Sequence, residues 1–304
     1  MSRLVDIGEN AVVERLIAQL GHTCEKDDQL VVGPGDDCAV VDLDHVDRYQ
    51  LLKTDSLVEG IHYLPETSAS QVGWKAVARV ISDFAAMGGM PGHMLVTIAM
   101  QPKTSMGYLE RLYQGMQSCA SLYGATICGG ETSSVPEGSA AVISVAATGW
   151  VEKNRCVKRS GGNVGDLVMV TGSLGGSIEG KHLSFSPRVD EARWLTDHFR
   201  INAMMDLSDG LGSDLPRLAA ASQCGFTICH DSLPCNEGCD LAQALADGED
   251  YELLFTVLPE LEKPLREAWA MNFPDLQLSV VGKLTEKQEG VTVGEQGWQH
   301  FNRQ

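Results

Sequence analysis

An α/β (α+β) protein of two domains is what the sequence predicts, and three observations carry that expectation. The chain has 304 residues, more than one ordinary domain uses. Short β-branched runs alternate with stretches of helical apolar spacing through its first half, the pattern of strands covered by helices. A Gly-containing, charge-rich break from Glu152 to Asp166 then interrupts this pattern before it resumes. Domains at 1–150 and 151–304 follow.

Taking the elements in order, Val12, Val13, Leu16, Ile17 and Leu20 predict an amphipathic helix over 9–20. Leu30–Val32, Ala39–Leu43 and Gln50–Lys53 read as short strands. A helix from about Ser70 to Met87 carries Val77, Val80, Ile81 and Phe84 as its stripe and stops at Gly88-Gly89-Met90-Pro91. Asp83 is off that stripe and close to the helix end, where the macrodipole disfavours a carboxylate unless a cation compensates. Met94–Met100 predicts a strand, Ser105–Tyr123 a helix, and Ala125–Cys128 another strand. Gly129-Gly130 is expected to turn the chain before Glu131, and Ala140–Trp150 forms a long strand.

In the second half, Leu167–Val170, Phe226–Cys229, Tyr251–Val257 and Leu276–Val281 predict strands, and Ala203–Met205 is a short apolar run leading into Asp206. Arg193–Phe199, Leu215–Gln223 and Leu261–Met271 predict helices. Gly175 to His182 fits GxxxxGK after a strand, as a phosphate-cradling loop would, but His182 stands where that loop needs Ser or Thr to hold magnesium. Gly175 and Gly176 therefore read as a turn or a close approach to a ligand.

Composition removes several classes of function. A formal charge of −18 with 43% hydrophobic residues describes an acidic globular chain, and nucleic acid is not an expected partner because its phosphates need clustered Lys and Arg. No run is long and apolar enough to span a membrane, and no signal-peptide pattern opens the sequence. The nine cysteines form no CxxC pair, and Cys224, Cys229, Cys235 and Cys239 lack the spacing and His partners of a zinc site. A reduced, cytoplasmic setting is the expectation.

Acids recur where strands and helices end. Asp36 and Asp37 follow Gly35, Asp55 follows Thr54, and Asp83 closes a helix. Glu131 follows Gly129-Gly130, and Asp206 and Asp209 bracket Leu207-Ser208. Any one Gly-Asp-Asp is ordinary turn chemistry. Five such loci are more than turns require and suit the binding of hard cations. In the basic island of Lys153, Arg155, Lys158 and Arg159, the reading is open between a solvated linker and a phosphate contact.

Several of these motifs together resemble the thiamine-monophosphate kinase family. They are Gly35-Asp36-Asp37-Cys38-Ala39, the run Thr54 to His62, Ser82 to Gly88, Gly129-Gly130-Glu131-Thr132, Asp206 to Leu211, Gly248 to Glu252, and Gly297 to Phe301. The likeness spans nearly the whole chain. It implies an aminoimidazole ribonucleotide synthetase-like fold: an N-terminal mixed sheet flanked by helices, a C-terminal α/β domain, an ATP site between them, and a homodimer built through the N-terminal strands. The implied activity is transfer of the ATP γ-phosphoryl to thiamine monophosphate, with several Mg2+ ions and no catalytic general base.

Carried over by position, the resemblance implies metal ligands at Asp37, Thr54, Asp55, Asp83, Glu131, Asp206 and Asp209, with Asp36 as a neighbour. It implies ATP contacts at Gly130, Glu131, Arg159 and Ser208, and thiamine monophosphate contacts at His62, Glu249 and Trp298. A structural His62 and a Trp298 that simply anchors the C-terminal segment are the plain alternatives. Two positions depart from the family pattern: Glu131 replaces an Asp, and Lys53 stands where a Ser is usual. An ammonium cannot ligate Mg2+, so Lys53 either leaves contact to its main chain or supplies part of a metal's charge. The competing readings are a sister enzyme with another substrate and a non-catalytic nucleotide or metal sensor on the same scaffold.

Overall fold

The computed structural model of the chain describes residues 3–24, 27–287 and 297–298. Gln299, His300 and Phe301 of the last motif lie outside them. The first half contains α1 (Leu4–Ile7), α2 (Glu9–Cys24), β1 (Leu30–Val32), β2 (Ala39–Val41), β3 (Arg48–Val58), α3 (Ala69–Ala86), β4 (Met90–Met100), α4 (Met106–Leu122), β5 (Thr126–Ser134) and β6 (Val142–Glu152). Its six strands form one sheet in the order β1-β2-β3-β6-β4-β5. Only β4 and β5 run parallel, so the sheet is mixed, as expected.

The second half contains β7 (Leu167–Thr171), α5 (Val189–His198), β8 (Ala203–Asp206), α6 (Leu211–Ala221), β9 (Gly225–Ile228), α7 (Leu241–Ala246), β10 (Leu253–Val257), α8 (Glu262–Asn272) and β11 (Leu278–Thr285). Its sheet, ordered β8-β10-β7-β11-β9, is antiparallel throughout, which gives this half α+β character.

α3 joins the halves. It packs on β3, β6 and α4 on one side and on α5 and β8 on the other. That explains why it is apolar well beyond one stripe: Val72, Val77, Val80, Ile81 and Phe84 are fully buried. Two glycines let α4 come close. A Cβ on Gly73 would lie 2.0 Å from the Leu112 carbonyl oxygen, and one on Gly115 would lie 1.9 Å from that of Ser70. A single apolar cluster runs from Val40 and Phe84 through to Met204, Phe255 and Trp269.

Several boundaries move for identifiable reasons. β3 continues past Lys53 to Val58, pairing residue by residue with β6, so Thr54 and Asp55 lie inside a strand. Gly129-Gly130 makes no turn and stays within β5. A Cβ on Gly130 would lie 1.8 Å from the Val96 carbonyl oxygen, so glycine there answers a close approach to β4. β10 starts at Leu253, because Gly248, Glu249 and Tyr251 have φ of 69°, 57° and 50° and cannot extend the strand. The residues from Ser177 to Leu183 form two short 3-10 turns, not a phosphate loop leading into a helix, and Lys181 is paired with Glu252 at 3.1 Å.

Candidate functional site

Three carboxylates meet where the two halves join. Asp37 leads into β2, Asp83 lies in the last turn of α3, and Asp206 ends β8; one oxygen from each lies within 4.8 Å of the others, and all three residues are buried. Asp37 Oδ2 is buried without a hydrogen-bond partner among the described residues. Nature rarely leaves such an atom unsatisfied. An all-carboxylate donor set with an open oxygen fits a hard divalent cation such as Mg2+.

The protein surrounds these acids with its own cations. Arg159 Nη2 donates to Asp37 Oδ1 at 2.5 Å, and its backbone N–H lies 3.2 Å from both Asp36 oxygens. Lys53 Nζ donates to Asp83 Oδ1 at 2.5 Å, Ser82 Oγ to Asp206 Oδ2 at 2.5 Å, and Arg79 pairs with Asp55 at 3.1 Å. Burial raises the pKa of Asp36 and of Asp206 to about 6, each helped by the neighbouring Asp37 charge. Burial likewise pushes Asp83 well above the usual carboxylate range, with Lys53 opposing it.

Just past Asp206 in the chain, Ser208 and Asp209 open onto a cavity of about 490 Å³ that Arg79 of α3 also lines. His62, Glu249 and Trp298, the three expected substrate contacts, all line it, together with Ser208 and Asp209. Glu249 reaches it from the left-handed turn after Gly248, its N–H donating to the Ser208 carbonyl at 2.7 Å. Trp298 is held by donation of its N–H to the Asp209 carbonyl at 2.9 Å, and a Cβ on Gly297 would lie 1.9 Å from that oxygen, so the Gly-Trp pair needs its glycine. Asp209 is tied to Arg217, and Asp214 beneath them accepts from the Ser208 and Asp209 N–H groups at 3.0 Å each. Burial and the Asp209 charge lift Asp214 to about 8.

Among the cavity residues outside the expected site, three basic ones stand out. Lys75, on α3 and fully buried, pairs with Glu249 and donates to the His62 carbonyl at 2.6 Å; its Nζ is also 2.6 Å from His182 Nδ1. Burial pulls Lys75 down to about 8 despite Glu249. Burial works the other way on Glu249, but His182 and Lys75 outweigh it and hold the carboxyl at about 2. Arg79 is the third. The only signal for Lys75 and Arg79 was charge on a helix whose neighbouring positions are apolar, which becomes informative once α3 is known to be buried all round.

Not every expected ligand reaches the triad. Strand alternation places Lys53 and Asp55 on the α3 side of β3 and turns Thr54 to the open face with Leu52, so the Thr54 hydroxyl points away from the basin. Only main-chain atoms of Thr54 can serve it. Glu131 lies on the exposed edge strand β5, opposite Thr97 and three strands from β3, outside the triad.

Residues 35–151 match the AIR synthase related protein N-terminal domain and residues 171–294 its C-terminal domain, so the chain belongs to the AIR synthase related family. Within it, the chain falls among the thiamine-monophosphate kinases. The kinase of that name from Rhodopirellula baltica is 37% identical over 249 residues, covering 76% of this chain and 78% of the relative. That from Escherichia coli K12 is 31% identical over 308 residues, covering 89% and 92%. The solved structure described as AaThiL complexed with AMPPCP and TMP superposes with a TM-score of 0.83 at 29% identity, covering 99% of both chains.

Proposed function

We infer that this protein is a thiamine-phosphate kinase, transferring the γ-phosphoryl of ATP to the phosphate of thiamine monophosphate to give thiamine diphosphate and ADP. The observation that carries this is the juxtaposition of the buried Asp37, Asp83, Asp206 triad with the cavity lined by His62, Glu249 and Trp298. One part suits magnesium-bound phosphates, the other an organic cation.

Trp298, 44% exposed at the cavity, offers an aromatic face to a thiazolium ring, an attraction of about 0.5–2 kcal/mol. Glu249, kept ionised by Lys75 and His182, adds a negative charge or hydrogen-bond acceptor for the same ligand. Arg159, beside Asp37, presents a planar fork suited to ATP phosphates. Mg2+ held by Asp37, Asp83 and Asp206, with Asp55 and Asp209 alongside, would neutralise charge between the two anionic reactants. A phosphate monoester has its second pKa near ~6, so the acceptor oxygen is largely deprotonated at neutral pH and needs no general base. The residues then have to position the two phosphates in line.

The remaining assignments belong to the same proposal. Gly130, Glu131 and Ser208 serve ATP, and Thr54 assists the metals through its main chain alone. Residues 1–150 form the metal-binding and dimerising unit, and 151–304 complete the site. A homodimer is supported by the open face of the first sheet, where Leu52 and Leu95, 42% and 51% exposed, lie with Ala146 and Cys128 along a shallow apolar groove. A cytoplasmic setting is supported by cysteines that are free among the described residues. No described helix is long and apolar enough to cross a membrane.

The test is an ADP-release assay with magnesium and ATP against thiamine monophosphate, thiamine and the substrates of sister enzymes. ADP formed only with thiamine monophosphate, matched by thiamine diphosphate, supports the reading. ATP binding without ADP release would identify a sensor, and turnover of another substrate a sister enzyme.

A further inference from the structure

Lys53 does more than depart from a pattern. The alternation of β3 sets it between Leu51 and Asp55 on the face that looks toward α3, and its ammonium sits 2.5 Å from Asp83 Oδ1. The side chains are 23% and 8% exposed, so neither partner is in open solvent. The charged and titratable groups facing it are Asp83 from α3, Asp206 from β8, Asp55 from its own strand and the Cys38 thiol beside β2. We propose that the Lys53 ammonium is a resident cation of the carboxylate basin, occupying a position at Asp83 that a further divalent ion would otherwise fill.

This rests on the reading of the triad as a divalent-ion site. An ammonium has three donors and no lone pair, so it competes with a metal for carboxylate oxygens and cannot serve as its ligand. Mg2+ approaches an oxygen to about 2.0–2.1 Å, and two cations on one carboxylate oxygen at these separations repel strongly. Asp83 Oδ1 is therefore closed to metal while Lys53 holds it, and only Oδ2 is left to an ion shared with Asp37 and Asp206. The charge balance points the same way. Three triad carboxylates face two protein cations, Arg159 and Lys53, leaving a net charge of −1 that one divalent ion already more than balances, so no charge is left for a second. The guanidiniums at Asp37, Asp55 and Asp209 are forks that can turn to phosphate oxygens. Lys53 is a compact charge tethered to the floor of the sheet.

Mn2+ binding to the full-length protein, followed by the electron paramagnetic resonance of the free ion without any substrate, tests this. Wild type is compared with Lys53→Ser, with Lys53→Met, which keeps the stem without charge or ligand, and with Lys53→Arg. We expect Lys53→Ser to bind one more Mn2+ per chain than wild type and Lys53→Met to bind Mn2+ at least tenfold more tightly. Lys53→Arg should keep the wild-type number. Thermal unfolding with and without Mn2+ should show a larger metal-dependent rise in Tm for the Ser and Met variants. Equal stoichiometry and affinity in all four proteins would overturn the proposal. No thiamine compound enters this measurement, so a failure of the kinase assignment would leave its outcome readable, whereas wild type that bound no Mn2+ would overturn the metal site and the proposal together.

Discussion

Arg159 and Asp37 are 122 residues apart in the chain, yet Arg159 Nη2 donates to Asp37 Oδ1 at 2.5 Å, tying the basic segment after the first sheet to the turn before β2. The same arginine pairs with a buried carboxylate and offers a fork to phosphate. Arg159→Lys retains the charge but loses the bidentate geometry. It should raise KM for ATP by roughly tenfold, with a smaller effect on KM for thiamine monophosphate. Steady-state kinetics with each substrate varied will check this.

Asp206 reaches the triad from β8, with Ser82 as its hydrogen-bond partner. Asp206→Asn preserves shape and removes charge, so turnover should fall by about a hundredfold or more while circular dichroism stays unchanged. Near-normal turnover would remove Asp206 from the site.

The fold was legible because its signals are local. The apolar stripe of α3 and the Gly88-Gly89 stop predict a helix within a residue of the one observed, Ala69–Ala86. The carboxylates were legible as a set through the family likeness. What stayed hidden depends on partners distant in sequence. The strand through Gly129-Gly130 follows from the approach of Val96, and the roles of Lys75 and Arg79 follow from α3 being buried between two sheets. The opposite facing of Thr54 and Asp55 could be read from strand alternation only once β3 was known to run through both.

Glu249 makes stability depend on acid pH. Its folded pKa of about 2 lies below the ordinary 4.5, so the folded state favours the ionised form. The contribution is complete above pH 4.5 and is lost as pH falls toward 2, amounting to about 3 kcal/mol at most. Glu249→Gln should flatten the stability profile between pH 4.5 and 2, measured by urea denaturation. It should also leave Lys75 buried without its counter-charge and lower stability at neutral pH.

Trp298→Ala should raise KM for thiamine monophosphate by about three- to thirtyfold and change KM for ATP little, as expected for loss of a cation–π face worth about 0.5–2 kcal/mol. Equal effects on both constants would make Trp298 an anchor for the C-terminal segment.

Gly115→Ala places a methyl where the Ser70 carbonyl lies 1.9 Å away, forcing α3 and α4 apart. A loss of about 1–3 kcal/mol is expected. Because α3 also carries Asp83 and Lys75, metal affinity should weaken along with Tm. Calorimetry with and without Mn2+ will separate the two effects.

Anomalous diffraction from crystals grown with Mn2+ and AMPPCP addresses the carboxylate basin most directly. A manganese peak within bonding distance of Asp37, Asp83 and Asp206, bordering the cavity that holds Trp298, is the predicted result. Manganese bound elsewhere, with those three side chains still held only by Arg159, Lys53 and Ser82, would contradict it.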